Sequence, residues 1–162
     1  MSKKIIVVFH SGYGHTKRMA EAVANGAGAS LLPIDAEGNL PEGGWEQLAA
    51  ADAIIMGSPT YMGSVSWQFK RFADASSKAW FTQNWKDKIA AGLTNSASMN
   101  GDKLSTLHYL FTLAMQHSMI WVGTGMLPSN KKSATRNDIN YVASSSGAMA
   151  STPSDASVDE ML

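Results

Sequence analysis

The 162-residue chain contains no cysteine, so disulfide bonds, thiolate zinc sites, iron–sulfur ligation and a cysteine nucleophile are all excluded. It also lacks net charge, because 13 basic and 13 acidic residues cancel. This balance gives no sign of a nucleic-acid-binding surface. It also provides no excess of acidic residues of the kind expected on a dedicated electron carrier.

Long apolar stretches are missing as well. The run Ile5–Phe9, which follows Lys3 and Lys4, has only five residues. That is too short for the core of a secretory signal or for a membrane span. We therefore expect a single soluble, cytoplasmic domain over residues 1–162.

The sequence lacks the patterns that are typical of a metal site and of a serine hydrolase. The histidines at 10, 15, 108 and 117 have no metal-ligand spacing, so no metal site is predicted. Ser58 stands in Gly-Ser-Pro rather than in G-x-S-x-G, which leaves a hydrolase as a weak alternative.

Five apolar runs alternate with helical patterns along the chain. Unbroken apolar runs are typical of strands buried on both faces, and this alternation predicts a doubly wound parallel sheet. Pro33 places the second strand at an edge. The predicted strands are Ile5–Phe9, Leu31–Ile34, Ala53–Gly57, Lys88–Leu93 and Met119–Gly123.

Small and hydroxylic residues follow three of these strands, at 11–16, 58–64 and 94–101. In such sheets ligands bind beyond the carboxyl ends of the strands. The first loop opens a helix, whose free N–H groups suit a phosphate, and Gly12 and Gly14 allow close approach. Neither the Walker pattern nor G-x-G-x-x-G is present, which disfavours nucleoside triphosphates and dinucleotides. A turn without a ligand is the alternative.

Three side chains have both a structural and a functional interpretation. His15 suits a helix-capping or hydrogen-bonding role better than that of a catalytic base. Tyr61 fits either a ring-flanking or a packing role. His117, by its pattern alone, fits a buried histidine.

Two segments resemble one protein family. They are S-G-Y-G-H-T at 11–16 and G-S-P-T-Y-M-G-S-V-S-W-Q-F-K-R-F-A-D at 57–74. Together they resemble the flavodoxin-like superfamily, and within it the NAD(P)H:quinone oxidoreductases of the tryptophan-repressor-binding-protein (WrbA) type. The resemblance runs from Lys4 to about Gly123.

The resemblance implies an α/β fold, a flavodoxin-like three-layer α-β-α sandwich with a five-stranded parallel sheet. The family's last helix begins about where this chain ends, at 157–162. We therefore expect that helix to be missing, with the sequence truncated before it or with a partner covering the face it would occupy. An apolar strip would then be exposed on one face.

The resemblance also implies a non-covalent FMN site. Its phosphate would be held by Ser11, Gly12, Tyr13, Gly14, His15 and Thr16. Its ring would lie against Pro59, Thr60, Tyr61, Met62 and Gly63. The ring's polar edge and the ribityl chain would meet Ser96, Ala97, Ser98, Asn100 and Gly101. His117 matches a histidine that lines the pocket, often from a neighbouring subunit. The catalytic residues are unknown, and Tyr61 and His117 are candidates for positioning the acceptor.

The implied function is electron transfer from NAD(P)H, as co-substrate, to a quinone or another small redox acceptor. The expected route is a two-electron, ping-pong exchange in a homodimer or homotetramer. Three alternatives stay open: a flavodoxin-type electron carrier, an FMN-binding regulatory or assembly module, and a reductase that releases its FMN.

Overall fold

A parallel sheet forms the centre of the protein. A computed structural model describes residues 3–161 of the single domain predicted over 1–162. The main strands lie in the order β2-β1-β3-β5-β6, all parallel. The strands are β1 (Ile5–His10), β2 (Ser30–Ile34), β3 (Ala53–Tyr61), β4 (Ser64–Val65), β5 (Ile89–Ser96), β6 (Ile120–Trp121) and β7 (Ala148–Ser151).

Both faces of the sheet are buried, as the unbroken apolar runs predict. In β1, Ile6 and Val8 point to one core cluster and Val7 and Phe9 to the other. β2 lies at the edge, which accommodates Pro33 because an edge strand needs fewer backbone donors. The predicted flavodoxin-like α/β fold is therefore confirmed.

The helices cover the two faces unequally. One face packs against α1, while α2, α3 and α5 pack against the other. Beside α1, Ile55, Leu93 and Ala148 line an apolar groove of about 250 Å³. The helices are α1 (His15–Ala27), α2 (Gly44–Ala49), α3 (Trp67–Ala75), α4 (Ser77–Phe81) and α5 (Lys103–Gln116).

The fifth strand position departs from the prediction. β6 pairs only with the start of β5, and β7 pairs with its end, so two short strands share one place in the sheet. Residues 122–147 connect them, and Trp121 Nε1 donates to the Ser146 carbonyl at 2.9 Å. The predicted strand Met119–Gly123 is thus too long, and β7 was not predicted.

The chain after β7 contains a short 3-10 helix at Val158–Glu160. Within residues 3–161, no α-helix follows α5. Of the helices in this range, none combines the length and apolar character needed to cross a membrane.

Candidate functional site

The first loop joins β1 to α1 and is held by a single hydroxyl group. Ser11 Oγ accepts hydrogen bonds from the backbone N–H groups of Gly14 and Lys17, each at 3.1 Å. These two bonds fold the loop back over the start of α1. The first turn of the helix is thereby fixed without an acidic residue, which would repel an anion.

Other donors of this loop remain unused. The backbone N–H groups of Tyr13, His15 and Thr16 meet no acceptor within residues 3–161. They stand at the amino end of a 13-residue helix, where the helix dipole favours negative charge. This arrangement suits a phosphate group.

Two glycines of the loop have steric reasons to be there. A Cβ on Gly12 would lie 2.5 Å from the Tyr61 hydroxyl oxygen. Gly14 has φ +93°, and a Cβ there would lie 2.9 Å from Cγ2 of Val158. Gly12 therefore lets the second loop approach, and Gly14 shapes the helix start.

The second predicted loop is largely strand. β3 continues through Pro59 and Tyr61, because Ser58 and Pro59 still pair with β5. Met62 and Gly63, both with positive φ, then turn the chain into the antiparallel strand β4. This is a two-residue hairpin turn, for which positive φ is the preferred geometry.

Buried hydroxyl groups connect the three strand ends. Thr60 Oγ1 lies 2.8 Å from Oγ1 of both Thr94 and Thr106. Thr16 Oγ1 donates to Asn95 Oδ1 at 2.7 Å. The relative positions of the loops are therefore fixed by hydrogen bonds before any ligand arrives.

β7 adds a fourth wall. Thr152 follows its last residue and donates its N–H to the Ser96 carbonyl at 3.0 Å. Its side-chain oxygen is buried and has no hydrogen-bond partner in the described chain. A buried hydroxyl without a partner costs free energy, and at a cavity surface it is available to a ligand.

The segment after β7 lies over the first loop. His15 Nε2 is 3.2 Å from the Ala156 carbonyl oxygen. A carbonyl only accepts, so this nitrogen carries the proton. Ser157 and Glu160 form a reciprocal capping box at 2.8 Å, and the hydrogen bonds from Ser157 lower the pKa of Glu160.

These elements enclose a cavity of about 780 Å³, within the usual range for small-molecule sites. Ten predicted residues line it: Ser11, Gly12, Tyr13, His15, Thr16, Pro59, Thr60, Tyr61, Ser96 and Ala97. Six lie close in sequence but outside the lining: Gly14, Met62, Gly63, Ser98, Asn100 and Gly101. Six lining residues were missed: Asn95, Thr152, Ser154, Ala156, Ser157 and Val158.

Two tyrosines form the aromatic side of the cavity. The rings of Tyr13 and Tyr61 meet edge to face, with centroids 6.5 Å apart. Burial, and then the neighbouring Tyr13, raise the pKa of Tyr61. Its hydroxyl therefore stays protonated at neutral pH and can donate a hydrogen bond.

His117 does not line the cavity of its own chain, so its role in the pocket of a neighbouring subunit stays a prediction. α5 runs from the carboxyl edge of the sheet to the amino edge, so the residue after it lies at the far end from the cavity. There His117 is 4% exposed, stands 2.8 Å from Ser76 Oγ through Nε2, and packs 4.1 Å from the Trp85 ring. Position in the chain alone did not show which edge it would reach.

The cavity fits FMN by its chemistry. Free N–H groups at a helix start suit a phosphate, and the unpaired Thr152 hydroxyl suits a polar group. Tyr13 and Tyr61 provide flat apolar surface with polar tips. Such a donor set recognises a phosphorylated, planar, partly polar molecule.

Comparison with known proteins gives the same class. A crystal structure described as the flavodoxin, WrbA-like protein from Agrobacterium tumefaciens matches with a TM-score of 0.73 and 68% identity, over 75% of this chain and 77% of that one. Flavodoxin FldP from Pseudomonas aeruginosa is 56% identical, over 94% of this chain and 83% of its own length. An NAD(P)H dehydrogenase (quinone) from Geobacter metallireducens is 34% identical, over 74% and 71%.

Fold and site thus define a flavodoxin-like flavoprotein of the WrbA type. The family model for NADPH-dependent FMN reductases matches residues 44–134, more than half of the chain. The chain belongs to that family.

Proposed function

We propose that this protein binds FMN without a covalent bond and transfers electrons from NAD(P)H to a quinone-like acceptor. The observation that carries the proposal is the cavity at the carboxyl edge, where a free helix start, a tyrosine pair and an unpaired hydroxyl converge. When bound, FMN would accept a hydride and pass on two electrons. The protein's part is binding, orientation and electrostatics.

The first loop would hold the phosphate. The N–H groups of Tyr13, His15 and Thr16 need an acceptor, and the helix dipole adds favourable potential. Ser11 keeps the loop in shape through its two accepted bonds. His15, tied to Ala156, would hold the segment after β7 over this end of the cavity.

Tyr61 would position the acceptor. Tyr61 is 38% exposed, so it is accessible from solvent, and its protonated hydroxyl can donate to a quinone oxygen. No nucleophile is required, and the cavity shows no activated serine or carboxylate pair. A donor and an acceptor that use one open ring face in turn would give ping-pong kinetics.

The test is an anaerobic titration followed by absorbance. Protein with FMN should lose its flavin band on addition of NADPH or NADH and recover it with benzoquinone. Initial rates should give parallel lines in double-reciprocal plots. Intersecting lines, which indicate both substrates bound at once, would contradict the shared site.

A matched pair of tyrosine variants tests the role of Tyr61. Tyr61→Phe should raise KM for the quinone several-fold with little change in kcat, because one positioning hydrogen bond is lost. Tyr141→Phe is the control, since Tyr141 is equally exposed at 38% but lies outside this cavity. Equal effects of both changes would rule out the positioning role.

A second candidate is a flavodoxin-type electron carrier. It is favoured by the name of the 56% identical relative, Flavodoxin FldP. The lack of net charge argues against it, since a carrier docks partners through a charged surface. A stable one-electron stage in a dithionite titration, together with no oxidation of NAD(P)H, would favour the carrier.

Assembly into a homodimer or homotetramer stays a prediction. It is compatible with the apolar outer side of α5, where Leu104, Phe111 and Met115 are each at least 40% exposed. Sedimentation velocity would measure it directly.

A further inference from the structure

Lys103, the first residue of α5, is unusually buried for a lysine. It is only 1% exposed, and its ammonium group is surrounded by oxygen atoms. Nζ lies 2.9 Å from Ser96 Oγ, 2.9 Å from the Ser98 carbonyl, 2.7 Å from the Met99 carbonyl and 3.0 Å from Ser151 Oγ. Four acceptors around three ammonium protons leave none of its donors unpaired.

None of these four acceptors is charged. The salt bridges of the described chain pair Lys3, Lys17 and Lys70 with carboxylates, and Lys103 is not among them. Burial lowers its pKa, whereas the surrounding oxygen dipoles favour the charged form. Burying a positive charge without a counter-ion costs desolvation free energy. An uncharged side chain could hold these segments together at a lower cost, so a role for the charge itself is favoured.

The four contacts join three separate pieces of the cavity's surroundings. Ser96 ends β5, residues 98–99 belong to the following loop, and Ser151 ends β7. Ser96 itself lines the cavity, as does Thr152 next to Ser151. The ammonium group therefore lies one side chain behind the cavity surface.

We propose that Lys103 is a positioning residue of the FMN site, which holds Ser96 and Ser151 in place and sets a fixed positive charge behind the flavin. This inference rests on the proposed function. A hydride adds two electrons and one proton to FMN and so lowers its charge by one. A nearby fixed cation favours that more negative, reduced form over the oxidised one.

The experiment compares two lysine substitutions at opposite edges of the sheet. Lys103→Met should weaken FMN binding at least tenfold and shift the midpoint potential of bound FMN to a more negative value. Lys103→Arg, which keeps the charge, should retain a potential near that of the wild type. Lys88→Met is the matched control, because Lys88 Nζ also donates to backbone carbonyls, those of Ala49 and Ala51, but before the start of β5.

A role in packing alone would lower thermal stability in both methionine variants and leave the potential of bound FMN unchanged. Wild-type affinity and potential in Lys103→Met would overturn the inference. If Lys103→Met does not fold, Lys103→Arg and Ser151→Ala replace it. Each should bind FMN several-fold more weakly with cooperative unfolding retained, and wild-type affinity in both would also overturn it.

The two proposals fail in different ways. If the wild-type protein binds no FMN, the proposed function fails and this inference fails with it. If the wild type binds FMN and is reduced by NAD(P)H while the Lys103 variants match it, only the role of Lys103 is lost.

Discussion

The two edges of the sheet are built from different side chains. Near the amino edge, the rings of Trp45, Phe72 and Trp85 stack with centroids 5.4–6.4 Å apart, and His117 packs onto Trp85. The carboxyl edge is lined by hydroxyl groups and small residues around a cavity.

Each edge also contains a buried polar atom without a partner in the described chain. At the amino edge it is His117 Nδ1, and at the carboxyl edge it is Thr152 Oγ1; a third such atom, Gln68 Oε1, belongs to α3. The first adjoins an indole ring, whereas the second adjoins a cavity where other donors are free. The comparison teaches that an unpaired polar atom points to a ligand only where further hydrogen-bonding groups converge on it. We expect changes at the amino edge to affect stability, and changes at the carboxyl edge to affect FMN binding.

The largest expected effect is at Trp85, which is 1% exposed. Trp85→Ala should lower the free energy of unfolding by about 3–5 kcal/mol, because it leaves a large cavity under the aromatic stack. Urea denaturation measures this, and FMN titration of the folded fraction should give the wild-type Kd. A large loss of FMN affinity would show that the two edges are coupled.

The second largest effect is expected from acid, which should lower the free energy of unfolding through His117 at the amino edge. Burial lowers the pKa of His117 to about 4, below its ordinary 6.5. At this position the unfolded chain therefore binds a proton more readily than the folded chain. The contribution of neutral, buried His117 to the free energy of unfolding is complete well above pH 6.5 and is lost as the pH falls from 6.5 towards 4. Between pH 7.5 and pH 5 the loss from this group should be about 2 kcal/mol.

His117→Gln should remove most of that pH dependence in urea denaturation. A smaller part should remain, because burial also lowers the pKa of His10. An unchanged slope in the variant would mean that other groups carry the acid sensitivity.

At the carboxyl edge, Ser11→Ala removes the acceptor for the N–H groups of Gly14 and Lys17. We expect FMN binding to weaken about tenfold, or ~1.4 kcal/mol, and stability to fall by about 1 kcal/mol. Ser157→Ala is a suitable comparison, because Ser157 also lines the cavity but its hydroxyl is paired with Glu160. If both variants bind FMN equally well, the first loop is not the phosphate site.

The smallest effect, and the one that separates the edges best, is expected for Thr152→Val. The change keeps the shape but removes the unpaired hydroxyl, so the FMN-free protein should be as stable or slightly more stable. FMN affinity should nevertheless fall several-fold. Thermal unfolding with and without FMN measures both, and a variant that binds FMN as tightly as the wild type would show that this hydroxyl has no ligand.

Much of the fold followed from local patterns. β1 is an unbroken apolar run and is buried on both faces, and Pro33 marks an edge strand. The first loop was also predictable in part, because Ser11 acts through Gly14 and Lys17, within a few residues, whereas the close approaches of Tyr61 to Gly12 and of Val158 to Gly14 join distant segments. Thr152 was not predictable in this way, since β7 is a short run of Ala, Met and Ser whose pairing with β5 joins residues more than fifty positions apart.

By itself, the sequence determined the alternation of strands and helices, the helix start at the first loop and the family of the chain. The first two depend on periodicity and on contacts between near neighbours, and the family follows from the resemblance of the segments at 11–16 and 57–74 to known proteins. Only the tertiary structure decided that His117 lies at the amino edge, that Lys103 is enclosed by oxygens, and that Thr152 is left unpaired at the cavity. Those features depend on which distant segments meet, and burial is a property of the assembled chain rather than of any one residue.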